Sequence, residues 1–120
     1  MQDLKERTFA FAAKVGKLVQ ELPFSTINKA YTSQLIRCSS SVGANYRAAR
    51  RAKSDADFIH KLKIVEEEAD ESVYFLELLL FFNPVYRNQI DELIDEGSSL
   101  LKIFVALVKT VRSKIKKLPG

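Results

Sequence analysis

The stretch SDADFIHKLKIVEEEADESVYFLELLLFFNP, residues 54–84, decides the fold. Within it Phe58, Leu62, Val65, Ala69, Ser72, Leu76 and Leu79 recur at alternating steps of four and three. That spacing is the seam of an α-helix and not the period of two that a strand shows. Ser54 with Asp57 three residues later reads as a capping box with Asp in place of Glu, and Asp55 lies near the positive helix end. Asn83-Pro84 stops the run, because proline has no amide proton to continue the ladder. The spacing predicts a helix over 55–82.

The same period extends in both directions. Upstream, Tyr31, Leu35, Cys38, Val42, Tyr46 and Ala49 form a stripe that predicts a helix over about 27–53. The segment SSSVGAN (39–45) inside it is poor in helix formers, but the stripe keeps phase on both sides. Ser39, Gly43 and Ala44 are small enough to mark a close crossing with a neighbouring helix. Further upstream, Leu4, Thr8, Phe11, Val15, Leu18 and Leu22 predict a helix over 3–22. Pro23 ends it, and Ser25 or Thr26 is placed to cap the next helix. Downstream, Ile90, Leu93, Gly97, Leu100, Phe104, Leu107 and Val111 predict a fourth helix over about 86–116.

Four long helices with short connections imply an all-α, up-down-up-down antiparallel four-helix bundle filling one domain over residues 1–120. Gly (4) and Pro (3) are too few for a fold made of many short elements. Tyr74, Phe75, Leu78, Leu80, Phe81 and Phe82 surround the third seam, and Leu101, Val105, Val108 and Ile115 surround the fourth. Two apolar faces on one helix imply two buried contacts, one inside the bundle and one between copies, so self-association is expected. The longest apolar run, Val73 to Phe82, is broken by Glu77 and is about half of a bilayer span. MQDLKERT lacks the apolar core of a signal peptide, and a lone cysteine fits a reducing compartment; a cytoplasmic location follows as an expectation.

Charge is segregated along the chain. Residues 1–53 hold ten Lys/Arg against three Asp/Glu, residues 54–101 three against twelve, and residues 102–120 six against none. Arg47, Arg50, Arg51 and Lys53 cluster at the C-terminal end of the second predicted helix. Spacings of three and four would put the three arginines on one face, where guanidinium groups engage successive phosphates. The competing reading is structural: cations favour a helix C-terminus and pair with the acids of the third helix. Both readings stand at this point. Lys109, Arg112, Lys114, Lys116 and Lys117 raise the same choice, with a solvated helix end as the plainer alternative.

Chemistry of other kinds finds little support. Glu66, Glu67, Glu68, Asp70 and Glu71 form an acidic run, but a bundle di-metal site needs two Glu-x-x-His pairs and His60 stands alone; no metal and no cofactor is expected. Cys38 lies on an apolar stripe, and Ser39, Ser40 and Ser41 have no histidine or lysine arranged to activate them. No small-molecule substrate, no membrane and no enzyme activity is implied. Asn45, if buried, needs a hydrogen-bond partner such as a third-helix carboxylate.

Residues 34–79 resemble the bacterial four-helix-bundle proteins encoded in intervening sequences of 23S ribosomal RNA genes. The resemblance runs through Leu35-Ile36-Arg37-Cys38-Ser39, Ser41-Val42-Gly43-Ala44-Asn45, Ala48-Ala49, the basic stretch Arg50 to Ser54, and Asp57-Phe58. It continues in Glu71-Ser72, Tyr74 and Leu76-Glu77-Leu78-Leu79, and RTFAFAAKV near the start extends it over most of the chain. It implies a ring-like homopentamer of up-down bundles and a link to ribosomal or other structured RNA. A distantly similar bundle is a nucleic-acid-binding accessory of retroelement reverse transcriptases. Ala48 departs from the usual glutamate and leaves the neighbouring arginines without that acid. Taken together, the expectation is a non-enzymatic homo-oligomer that binds RNA through Arg37, Arg47, Arg50, Arg51 and Lys53. The alternative is a protein–protein scaffold in which those arginines only pair with acids.

Overall fold

The structure, a computed structural model, describes residues 3–117. Among them are four α-helices and no strand: α1 (Leu4–Glu21), α2 (Thr26–Ala49), α3 (Asp55–Phe82) and α4 (Arg87–Lys117), with a single 3-10 turn at Pro84–Tyr86 ahead of α4. The helices form a rod of 57 × 22 × 21 Å. Each helix touches two neighbours, α1 and α3 both lying against α2 and α4. Across the α2–α3 contact, Asn28 meets Asn83, Arg37 meets Glu71 and Cys38 meets Ser72, so residue numbers climb on one helix as they fall on the other.

The seams read from the sequence supply the core. Phe11, Val15 and Leu18 pack with Leu35, Cys38, Val42 and Tyr46, with Leu62, Val65, Leu76 and Leu79, and with Ile90, Leu93, Leu100 and Phe104. In α4 the stripe drifts: after Phe104 the buried residue is Val108, while Leu107 and Val111 are half-buried. A straight helix has 3.6 residues per turn, so a strict heptad cannot hold one face inward without supercoiling.

Small residues set the helix separations. A Cβ on Gly43 would lie 3.1 Å from Thr8 Oγ1, so the helix that approaches the small residues of α2 at Gly43 is α1. Thr8 can be buried there because its hydroxyl donates to Leu4 O at 2.8 Å within α1. A Cβ on Gly97 would stand 3.0 Å from Val73 Cγ2 and 3.3 Å from Phe11 Cζ, so α4 approaches both neighbours closely.

Helix starts follow the sequence. Ser25 Oγ accepts from Asn28 N at 2.9 Å, and Ser54 Oγ accepts from Asp57 N at 3.1 Å. One boundary needs correction: α2 stops at Ala49, four residues before the expected Lys53. A helix running to Lys53 would leave Ser54 alone to reverse the chain, and Ser54 must be extended to cap α3. Residues 50–53 make the turn instead, with Arg51 N donating to Ala48 O and Ala52 N to Ala49 O at 3.1 and 3.0 Å.

Two polar ties join distant segments. Asn28 and Asn83, buried at 5% and 8% exposure, exchange side-chain hydrogen bonds of 2.9 and 2.8 Å. Their remaining amide protons go to Pro23 O and Leu79 O, so all four are satisfied. Arg7 donates from Nε and Nη2 to the two carboxylate oxygens of Glu96, and again from Nη2 to Ser99 Oγ, each at 2.8 Å. This fork ties α1 to α4.

Candidate nucleic-acid interface

The α2–α3 turn decides how the expected site is built. Arg47 is on the last turn of α2, whereas Arg50, Arg51 and Lys53 project from the chain reversal that follows. The single helical face expected for the three arginines is therefore replaced by a helix end and a loop. All four side chains are exposed. Among the described residues their one ion contact is loose, with Arg50 Nη1 lying 3.8 Å from Asp3 Oδ1.

Asp57, four residues after Lys53, does not neutralise them. Asp57 Oδ2 accepts from Lys61 Nζ at 2.6 Å and from the Lys53 backbone N–H at 3.1 Å. These bonds, that of Lys61 foremost, hold the Asp57 carboxyl below its ordinary pKa. Asp57 thus serves its own helix start and leaves the Lys53 ammonium open.

The second basic segment comes to the same end of the rod. The rings of Tyr46 and Phe104 lie 5.6 Å apart, and Ala49 and Val108 are buried in one core. Beyond Val108, α4 continues to Lys117, a further rise of roughly 13 Å at 1.5 Å per residue. Its last turns thus run past the level of the α2–α3 turn at the same end of the rod. Lys109, Arg112 and Lys116 line one shallow groove there, and Lys114 is also exposed. The side chain of Lys117 lies outside the described residues. No acid occurs between Gly97 and Lys117, so this part of α4 brings only positive charge to this end.

Arg37 stands apart. It lies ten residues before Arg47 on α2, roughly 15 Å along the axis. Its Nη1 is 3.2 Å from Glu68 Oε2 and its Nη2 2.5 Å from Glu71 Oε1, while Nε donates to Gln34 at 3.2 Å. For this residue the geometry is the structural pairing with third-helix acids. Burial, and then the adjacent Glu71 carboxyl, push the pKa of Glu68 up, against the opposing pull of Arg37 and Ser41.

Of the remaining singled-out residues, Asn45 and Cys38 have partners inside the bundle. Asn45 is half-buried and donates to Ser41 O at 2.9 Å in its own helix, not to α3. Cys38 is buried, and burial pushes its thiol pKa up, with Ser72 Oγ 3.3 Å away. His60 is exposed. Among the described residues no three His, Cys, Asp or Glu are grouped to hold a metal, and no helix is long and apolar enough to cross a membrane.

The profile of the 23S rRNA-intervening sequence protein family matches residues 2–106. The chain belongs to that family. Among solved structures it is similar to a protein of unknown function from the S23 ribosomal protein family of Bacteroides thetaiotaomicron. The two share 31% identity and a TM-score of 0.79, over 89% of this chain and 99% of that one. No protein with a curated description matches the chain significantly. The match to this 23S rRNA-intervening sequence protein stops at residue 106, just short of the last basic turns of α4. Within the matched part, half-buried Ala48 beside the turn brings no carboxylate to the arginines.

Proposed function

We propose that this 23S rRNA-intervening sequence protein is a non-enzymatic, cytoplasmic homo-oligomer of antiparallel bundles that binds structured RNA through its basic end. The observation that supports this most is that Arg47, Arg50, Arg51 and Lys53 of the α2–α3 turn and Lys109, Arg112, Lys114 and Lys116 of α4 are exposed at the same end of the rod. A compact group of cations with few acids among them is the footprint of phosphate binding. Arg37, engaged by Glu68 and Glu71, is left out of the interface. Oligomerisation, a ring-like pentamer by resemblance, is supported by apolar side chains that one bundle leaves in water, Phe24, Phe81 and Val85 foremost.

The experiment is a fluorescence-anisotropy titration against a structured fragment of ribosomal RNA at several salt concentrations. Affinity should fall steeply as salt rises, since each neutralised phosphate releases counterions. Arg47→Glu with Arg51→Glu should weaken binding by at least tenfold, while Arg37→Gln should leave it unchanged. The same exposed apolar side chains favour a second reading, a protein–protein scaffold without RNA affinity. Absence of binding at low salt would decide for that scaffold.

A further inference from the structure

On the flank of the basic end, beside the close Thr8–Gly43 crossing, α1 and α2 border an open groove of about 660 Å³. This lies within the range of small-ligand sites. Its floor and walls are Ala12, Ser40, Gly43 and Ala44, residues too small to fill the space between the helices. Phe9 stands over it with 73% of its surface exposed, although the preceding residue, Thr8, is on the buried face of α1. Arg47 closes the end nearest the α2–α3 turn, and it has no side-chain ion pair among the described residues. Glu6, one turn before Phe9, lines the groove as well; it too is exposed and has no side-chain partner there. The other acid, Asp3, is engaged at the helix start, accepting from Lys5 N at 3.3 Å and lying 3.8 Å from Arg50.

We infer that this groove takes one unpaired guanine nucleotide of the bound RNA, a step that rests on the RNA-binding reading above. An exposed aromatic ring beside a positive surface is a stacking platform for a base that has left its helix. Arg47 supplies the cation for the phosphate of that nucleotide and continues into the phosphate-binding turn. Glu6 supplies selectivity. A carboxylate only accepts hydrogen bonds, and guanine alone presents two adjacent N–H donors, N1–H and N2–H, on its pairing edge. Adenine and cytosine each set an acceptor beside their donor, which would face the carboxylate unfavourably. Uracil offers one donor between two carbonyls.

The test compares three hairpins of one sequence, fully paired, with a single bulged guanosine, and with a single bulged uridine, titrated at fixed salt. The protein should bind the bulged-guanosine hairpin about tenfold more tightly than the paired one. Phe9→Ala should erase that preference and leave affinity for the paired hairpin unchanged, since Phe9 is not in the core. Phe9→Tyr should keep the preference, and Glu6→Gln should reduce guanosine over uridine. Equal binding of all three hairpins by the unmutated protein would overturn the inference and leave RNA binding by the basic end standing. So would a Phe9→Ala variant that keeps its guanosine preference but has a smaller assembly mass by light scattering, because the groove would then be a contact between copies. Failure to bind any of the hairpins at low salt would overturn both readings.

Discussion

The two ends of the rod solve one problem differently. At the far end the α1–α2 and α3–α4 connections lie side by side, and buried Asn28 and Asn83 bind each other with every amide proton satisfied. Tyr86 adds a hydroxyl bond to Glu21 O at 3.1 Å. At the basic end the α2–α3 turn is held by its own backbone, by the Ser54 cap and by the Lys53 N–H donated to Asp57, and the one ion contact that ties it to α1 among the described residues is the loose Arg50–Asp3 pair. The neutral, buried clasp fixes how the helix pairs meet. The open turn leaves its cations to solvent. Stability and contact chemistry are thus concentrated at opposite ends.

The largest expected effect falls on the clasp. Asn83→Ala strips the buried Asn28 amide of its partner and should destabilise by about 1–3 kcal/mol, read as a lower urea midpoint at unchanged slope. Gly16→Ala tests the helix between the two ends. A Cβ there meets nothing within 4 Å, so the gain is helix propensity alone, about 0.5–1 kcal/mol of added stability. Arg51→Ala at the open turn should shift stability by less than about 0.5 kcal/mol in either direction. If Asn83→Ala and Arg51→Ala cost the same, the clasp does not anchor the fold and the proposed division between the ends fails.

How far these features could be read beforehand depended on their range along the chain. The seams from Phe11 to Phe104 were legible because helical burial repeats locally, and the Ser25 and Ser54 caps because each needs only a polar residue and a start. The end of α2 was not, since apolar phase says where a helix fits and not how many residues a reversal consumes. The Asn28–Asn83 pair spans 55 positions and the Arg7–Glu96 fork spans 89, and nothing local marks either pair as partners, although Asn83 is visible as part of a helix stop. Of the candidate cations, the exposed turn cluster was visible as composition. Two facts needed the assembled bundle: that Arg37 is held by Glu68 and Glu71, and that α4 delivers its lysines to the same end.

The smallest effects test the same division through pH, because Asp57 at the open turn and Glu68 in the bundle are shifted in opposite directions. The Asp57 pKa is lowered, chiefly by Lys61, so its stabilisation is present above the unfolded value near 3.8 and is lost as pH falls through the folded one. The Glu68 pKa is raised, chiefly by burial. Its favourable contribution is therefore present below the unfolded value near 4.5 and is lost as pH rises through the folded one. Asp57→Asn should then be less stable than the unmutated protein at neutral pH, with the difference shrinking in acid. Glu68→Gln should match or exceed the unmutated protein at neutral pH and lose that standing in acid, since Arg37 still keeps Glu71. Urea midpoints for the three proteins between about pH 3 and pH 7 measure both differences. Differences that move with pH in the same direction would mean that burial of Glu68 does not outweigh its arginine. The Arg37 pair would then stabilise the fold, where the raised Glu68 pKa implies that it only accommodates a carboxylate the bundle has partly desolvated.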